Sequence, residues 1–201
     1  MVEEKPAEDI DEPVIVVDSW TQQEDKDEVE TPEPYVREIY PPISKTGKEI
    51  PEGVMIWPLL GNDVDGGTGI TSGFGYRPNP FDPDDPDLQP HHGIDIAVPI
   101  GTEVISVKNG RIAEVGENDI FGYFIEIDHG NGISSFYAHL NELPQLQKGQ
   151  EVSRGTVIGI SGETGLSTGP HLHFEYRQNG VSMNPFEMTW GHGFVISIWR
   201  Q

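Results

Sequence analysis

Ser167-Thr168-Gly169-Pro170-His171-Leu172-His173-Phe174-Glu175 is the stretch whose reading decides the fold. Its Gly-Pro pair turns the chain into a strand, and successive side chains on a strand point to opposite faces. Leu172 and Phe174 therefore face a core, and His171 and His173 face a cleft. Two imidazoles on one strand face are the start of a metal site, because neutral imidazole is the commonest metal ligand. Alone, His-x-His fits two half-exposed surface histidines equally well. The rest of the chain decides between the two.

Outward from this strand, short apolar runs alternate with turn residues. Residues 94–98 alternate. Residues 102–115 read as a hairpin closed by Asn109-Gly110. Residues 121–128 and 133–139 form a second hairpin around His129-Gly130-Asn131-Gly132, and residues 151–160 read as two short strands about a turn. Gln178-Asn179-Gly180 turns the strand from His171 back towards Val181. Upstream, residues 54–59 form a short apolar strand, and the glycines of residues 70–77 imply bends. Residues 78–90, crowded with Pro and Asp, form a surface loop. No long helical period is present, and a short helix is expected only over residues 141–146. The pattern predicts an all-β domain of short antiparallel strands, a sandwich or open barrel with a groove, over residues 52–190.

Residues 1–51 are rich in Glu, Asp and Pro and bury too little apolar surface to offset their ordering entropy. They are expected to be a disordered tail or spacer, with residues 14–17 and 35–40 able to dock as edge strands. Residues 191–201 form a C-terminal tail whose residues 194–199 can make a last edge strand.

The 201 residues carry a net charge of -22, which excludes nucleic acid as a partner, because phosphate binding needs a basic face. The absence of cysteine excludes disulfides, thiolate metal sites and a thiol nucleophile. No apolar run reaches transmembrane length. Met1-Val2-Glu3-Glu4 has neither a basic nor an apolar leader region. Either the chain is not exported by that route, or it begins after a removed signal or anchor.

A catalytic metal needs three protein ligands and an open position. His171 and His173 supply at most two. Further candidates lie in His91-His92-Gly93-Ile94-Asp95, where a turn into a strand lets His91 and Asp95 reach one point, and at His139, which ends the Phe136-Tyr137-Ala138-His139-Leu140 strand. No His-Glu-x-x-His is present, so a glutamate from that motif has no candidate. His92 is off the ligand register, and His129 sits in a hairpin turn as a surface residue.

His91-x-x-x-Asp95, Tyr137-Ala138-His139-Leu140 and Gly169-Pro170-His171-Leu172-His173-Phe174-Glu175 together resemble the LytM/lysostaphin-type zinc endopeptidases of bacterial cell walls, the β-lytic metallopeptidase family. Ser72-Gly73-Phe74-Gly75-Tyr76-Arg77, Gly162-x-Thr164-Gly165 and Asn184-Pro185 support the match. The resemblance implies a lysostaphin/LytM-like catalytic domain with zinc held by His91, Asp95 and His173. It implies that His139 and His171 act on the attacking zinc-bound water and the transition state, one of them as general base. Tyr76, Arg77 and Tyr137 are candidate groove residues, Tyr137 reading more as packing than as catalysis. The implied substrate is the stem peptides or cross-links of peptidoglycan, outside the cytoplasm, with any signal or anchor absent from this chain. Some relatives have lost their ligands and activate a wall amidase instead, which is the alternative reading. A biotinyl- or lipoyl-type carrier fits less well, because Lys108-Asn109 lacks the carrier context. The acidic segments, the N-terminal one above all, can place an oxygen on the open metal position and hold the chain latent.

Overall fold

The computed structural model describes residues 54–59 and 69–188. Nearly all of their regular structure is strand. In chain order the strands are β1 Ile70–Ser72, β2 Gly75–Arg77, β3 Gln89–His91, β4 Ile94–Ala97, β5 Glu103–Ile105 and β6 Gly110–Asn118. They continue as β7 Gly122–Asp128, β8 Ile133–Leu140, β9 Glu151–Val152, β10 Val157–Ile160, β11 His171–Gln178 and β12 Val181–Met183, followed by the one-turn helix α1 Pro185–Met188. One antiparallel sheet runs β1-β4-β11-β8-β7-β6-β9, with β12 continuing beside the far half of β11. Two small ladders, β10-β5 and β2-β3, lie outside it. The expected strands at 14–17, 35–40 and 194–199 fall outside the described residues. Among the described residues no helix is long and apolar enough to cross a membrane.

β11 is the spine. Leu172, Phe174 and Tyr176 on one face join Ile94, Ile96, Ile125, Ile127 and Tyr137 in the main core. Burying an aliphatic side chain of this size contributes on the order of 2 kcal/mol. On the other face, Phe124, Phe136 and Ala138 form a smaller cluster with Phe121 against it. The alternation read from Leu172 and Phe174 is thus the one that sorts the sheet's two faces.

Three expectations need correction. Asn109-Gly110 does not close a two-stranded hairpin: β5 pairs with β10, and β6 pairs with β7 and β9. The backbone at Ser106 is held by residues 155 and 156, and the Val107 amide donates to the Tyr137 hydroxyl, so no facing strand is needed. By the same topology β9 and β10 pair with different partners rather than with each other. Residues 141–146 are not helical; Pro144 disfavours helical backbone in the residue before it, and the Asn141 amide is committed to the Ile160 carbonyl. The helix that does form follows Asn184, whose Oδ1 accepts the Phe186 amide at 3.2 Å. Residues 54–59 bury Ile56, Trp57 and Leu59 but bond to β5 only intermittently, since Pro58 has no amide to donate.

His129 is not the surface residue its turn position suggests. Its Nδ1–H donates to the Asn109 carbonyl at 2.9 Å, and its Nε2 lies 2.7 Å from Ser135 Oγ, itself 3.0 Å from the Tyr137 hydroxyl. Burial pushes its pKa down to about 4. An unfolded histidine titrates near 6.5, so between these values the unfolded chain binds more protons. This contribution is complete above the unfolded value and is lost as pH falls through the folded one, at up to about 1.4 kcal/mol per pH unit. Thermal melts are expected to show stability falling from pH 6.5 towards pH 4, with the slope reduced by about one proton in His129→Gln. Equal slopes would contradict it.

Candidate metal centre and cleft

β4 and β11 pair so that His173 lies directly opposite Asp95, and His171 opposite Ala97. Directly opposed residues share a face, which brings the Asp95 carboxylate onto the His173 ring: Oδ1 lies 2.8 Å from Nδ1. His91 ends β3 and arrives from the side, its Nε2 3.1 Å from Asp95 Oδ1 and 3.2 Å from His173 Nδ1. All three residues are buried, and their ligand atoms lie within 4.8 Å of one another.

The outer contacts fix which atoms are bare. The His91 Nδ1–H donates to the Gly73 carbonyl at 2.7 Å, which leaves Nε2 as a lone pair. His173 Nε2 lies 3.1 Å from the Glu175 carboxylate and donates to it, which leaves Nδ1 for the cluster. Two bare ring nitrogens 3.2 Å apart cannot hydrogen-bond to each other. A cation satisfies both and the carboxylate as well. Without it a proton on His173 does part of that work: burial lowers its pKa, but hydrogen bonds to Asp95 and Glu175 outweigh burial and raise it. Burial likewise works to raise the Asp95 carboxyl, yet the contacts with His173 and His91 hold it well below the usual range. The donor set of two imidazoles and one carboxylate suits a divalent metal with an open position.

A second layer supports the ligands. Glu175 is buried, and burial works against its charge, but His173, Arg177 and Ser182 bring its pKa down to about 2. Arg177 donates from Nε to Glu175 at 2.9 Å and from Nη1 to Glu126 at 3.0 Å, and its guanidinium lies 4.2 Å from the centre of the Phe136 ring. On the other side Arg77 Nη1 donates to Asp95 Oδ2 at 2.7 Å. Gly93 lets the His91–Asp95 turn cross β11, since a Cβ there would collide with the Phe174 carbonyl oxygen.

His139 reaches the same face by a bulge. Along β7 and β8 the register passes from Ile125↔Tyr137 to Tyr123↔Leu140, one residue longer on β8. His139 takes the extra place with φ 59°, a region costly for a non-glycine residue, by about 1–3 kcal/mol. Strict alternation would send it to the core with Tyr137; the bulge sets its ring 4.5 Å from that of His171. The His139 Nδ1–H donates to the Thr164 carbonyl at 2.7 Å, and the His171 Nδ1–H to the Gly169 carbonyl at 2.7 Å. Both Nδ1 atoms are thus committed to backbone carbonyls, and Nε2 of His171 lies 3.6 Å from Asp95 Oδ1. Burial pushes the pKa of His139 down to about 4, so its ring is neutral at physiological pH.

The structure thus brings together five of the residues singled out in the sequence: His91, Asp95, His139, His171 and His173. Tyr137 is not on the groove wall; it is fully buried, its hydroxyl bonded to the Val107 amide and Ser135. Tyr76 is exposed, and Arg77 borders the cleft. His92 is exposed and His192 lies outside the described residues. The acidic loop adds no carboxylate to the ligand cluster; Asp85 instead accepts from Asn79 and from the Asp87 amide. Glu175, Arg177 and Thr164 were missed as contributors. Glu175 was within reach, because it continues the two-residue period of His171 and His173.

Residues 89–185 match Peptidase family M23. The chain is 44% identical over 125 residues to the DD-carboxypeptidase/endopeptidase Mpg of Neisseria meningitidis, covering 61% of this chain and 27% of that protein. It is 42% identical over 97 residues to the peptidoglycan DD-endopeptidase ShyA of Vibrio cholerae, covering 48% of this chain and 22% of that protein. The chain therefore spans about a quarter of the length of these curated relatives. A zinc-containing peptidase from Vibrio cholerae superposes with a TM-score of 0.56 at 30% identity, over 71% of this chain and 42% of that one. The catalytic domain of lysostaphin from Staphylococcus simulans superposes with a TM-score of 0.50 at 31% identity, over 59% of this chain and 89% of that domain.

Metal retention separates the residues of the cleft. Asp95→Ala and His173→Ala are expected to lose metal on mild dialysis, whereas His139→Ala and His171→Ala keep it. Glu175→Gln is expected to weaken metal affinity about 10- to 100-fold through the His173 ring it orients. Full retention in both ligand variants, measured by metal analysis of folded protein, would contradict the assignment.

Proposed function

Because this chain belongs to peptidase family M23, we propose that it is a zinc-dependent endopeptidase that hydrolyses stem peptides or peptide cross-links of bacterial peptidoglycan. The observation that carries this reading is the three-donor cluster with two further imidazoles beside it, each held through its Nδ1. His91, Asp95 and His173 would hold the zinc, which would supply Lewis acidity and lower the pKa of a water.

The chain's own residues then do the following. His171, whose Nε2 lies beside the ligand carboxylate, takes the proton of the attacking water as the water oxygen bonds to the scissile carbonyl carbon. The C–N bond breaks and the proton passes to the departing nitrogen. His139 shares this proton handling. With the rings this close, a proton on one opposes a proton on the other, so the pair would hold the single proton taken from the water, beside the oxygen on which negative charge develops. Thr164 holds His139 through its carbonyl, and its own hydroxyl donates to the Leu140 carbonyl at 2.6 Å.

The names of the Neisseria and Vibrio relatives support a finer proposal, that the bond cut lies between two D-centres. In this reading the protein acts outside the cytoplasm, where peptidoglycan lies. Residues 52–190 form the peptidase unit in this reading, with residues 1–51 an acidic spacer and 191–201 a C-terminal tail. The amidase-activator alternative would leave both imidazoles idle.

Zinc-loaded protein is expected to cleave cross-linked muropeptide dimers, with mass analysis of the products identifying the bond. Chelator should abolish cleavage and added zinc restore it. His171→Ala and His139→Ala should lower kcat by about 10²–10⁴ at unchanged zinc content. No cleavage by fully loaded protein would leave the activator reading. The acidic N-terminal segment, outside the described residues, is proposed to compete for the open metal position. A chain starting near Glu52 should then cleave faster than the full chain at equal zinc content, and equal rates would leave the segment a spacer.

A further inference from the structure

Arg77 opens into a cavity of about 530 Å3 that it shares with His171. Thr71, Ser72, Thr168 and Pro170 complete most of its wall. Of the residues lining it, Arg77 is the permanent cation, and Asp95 is the carboxylate. The guanidinium is anchored by one nitrogen: Nη1 donates to Ser72 Oγ at 2.5 Å and to Asp95 Oδ2 at 2.7 Å. Nε and Nη2 have no protein partner among the described residues, and the side chain is 29% exposed. A guanidinium has a planar fork of donors, so anchoring one nitrogen orients the others. Arg77 thus presents directed donors at a distance from the metal-binding oxygen set by the width of the Asp95 carboxylate.

We propose that Arg77 makes this cavity a subsite for a carboxylate borne by the substrate residue on the leaving side of the scissile bond. This rests on the peptidase reading above. In a bond between two D-centres the leaving nitrogen belongs to a residue that carries its carboxylate on the adjoining carbon. With the leaving nitrogen beside His171, that carboxylate would lie a few bonds further on, in the cavity that His171 shares with Arg77. The pairing also overcomes a field problem. The chain's net charge of -22 repels an anionic peptide, and a fixed cation inside the cleft makes the local potential favourable where the global one is not.

The test uses zinc-loaded full chain and two cross-linked stem-peptide dimers. They are identical except that the carboxylate flanking the scissile bond is free in one and a carboxamide in the other. The free carboxylate is expected to be preferred roughly ten- to hundredfold in kcat/KM, as for a charge-assisted hydrogen bond to a partly buried partner. Arg77→Gln should bring the ratio near one and Arg77→Lys should keep part of it, with zinc content measured for each. Equal cleavage of both dimers by the unaltered chain overturns the subsite alone. An undiminished preference in Arg77→Gln overturns the role of Arg77. Failure to cleave either dimer overturns the peptidase reading, and the subsite with it.

Discussion

The pairing of Asp95 with His173 across β4 and β11 is the constraint on which the rest of this structure depends. Once these two residues oppose each other, a carboxylate and an imidazole share a face with their polar atoms 2.8 Å apart. Such a pair is costly to bury unless other groups complete it. Most of the surrounding features can be read as that completion. His91 closes the third side. Glu175 takes the outer nitrogen of His173, and Arg77 takes the outer oxygen of Asp95. Arg177 and Glu126 then balance Glu175. Each added charge is met by its opposite one bond further out, until the network reaches Ser134 on the next strand, whose hydroxyl donates to Glu126.

This arrangement explains how the candidate ligand residues can come from short strands rather than a long helix. A helix carries neighbours at i and i+4 on one face, whereas an antiparallel pair brings residues 78 positions apart into direct contact. The cost falls on the backbone. Gly93 must lack a side chain for the turn to cross β11, and His139 must occupy a left-handed conformation at a bulge. Bulges next to functional sites commonly re-aim a side chain in this way. Here the bulge turns an imidazole out of the core and into the cleft.

How much of this was legible in the sequence follows from the same physics. The faces of β11 were readable because period-two alternation is local: Leu172 and Phe174 against His171 and His173. The hairpin of β7 and β8 was readable because its turn residues are adjacent. The partners of β5, β9 and β10 were not, since nothing local says which distant strand will supply hydrogen bonds, and Asn109-Gly110 looks the same whether or not a ladder follows. Tyr137 lies two residues from His139, a histidine of the cleft, yet its own side chain is in the core. The bulge at His139 left no clear signature in residue type: histidine is tolerated in left-handed backbone better than most residues, but far more histidines sit elsewhere.

The distribution of charge bears on how such a site can work in so acidic a chain. Residues 1–53 hold 16 Asp and Glu against 5 Lys and Arg, which accounts for half of the net charge of -22. Repulsion between exposed charges fades beyond about 8 Å at physiological ionic strength. It therefore acts on the approach of an anionic peptide more than on its bound state. Inside the cleft the balance is local. Asp95 is neutralised by Arg77, and Glu175 by Arg177 and the His173 ring it orients. A divalent ion at the three donors then leaves the centre positive while the surface remains negative. Arg77 is placed where both facts meet, its one nitrogen spent on the ligand and its other donors open to the cavity. Net charge of this kind governs the rate of encounter, and the ordering of charges within the cleft governs what stays.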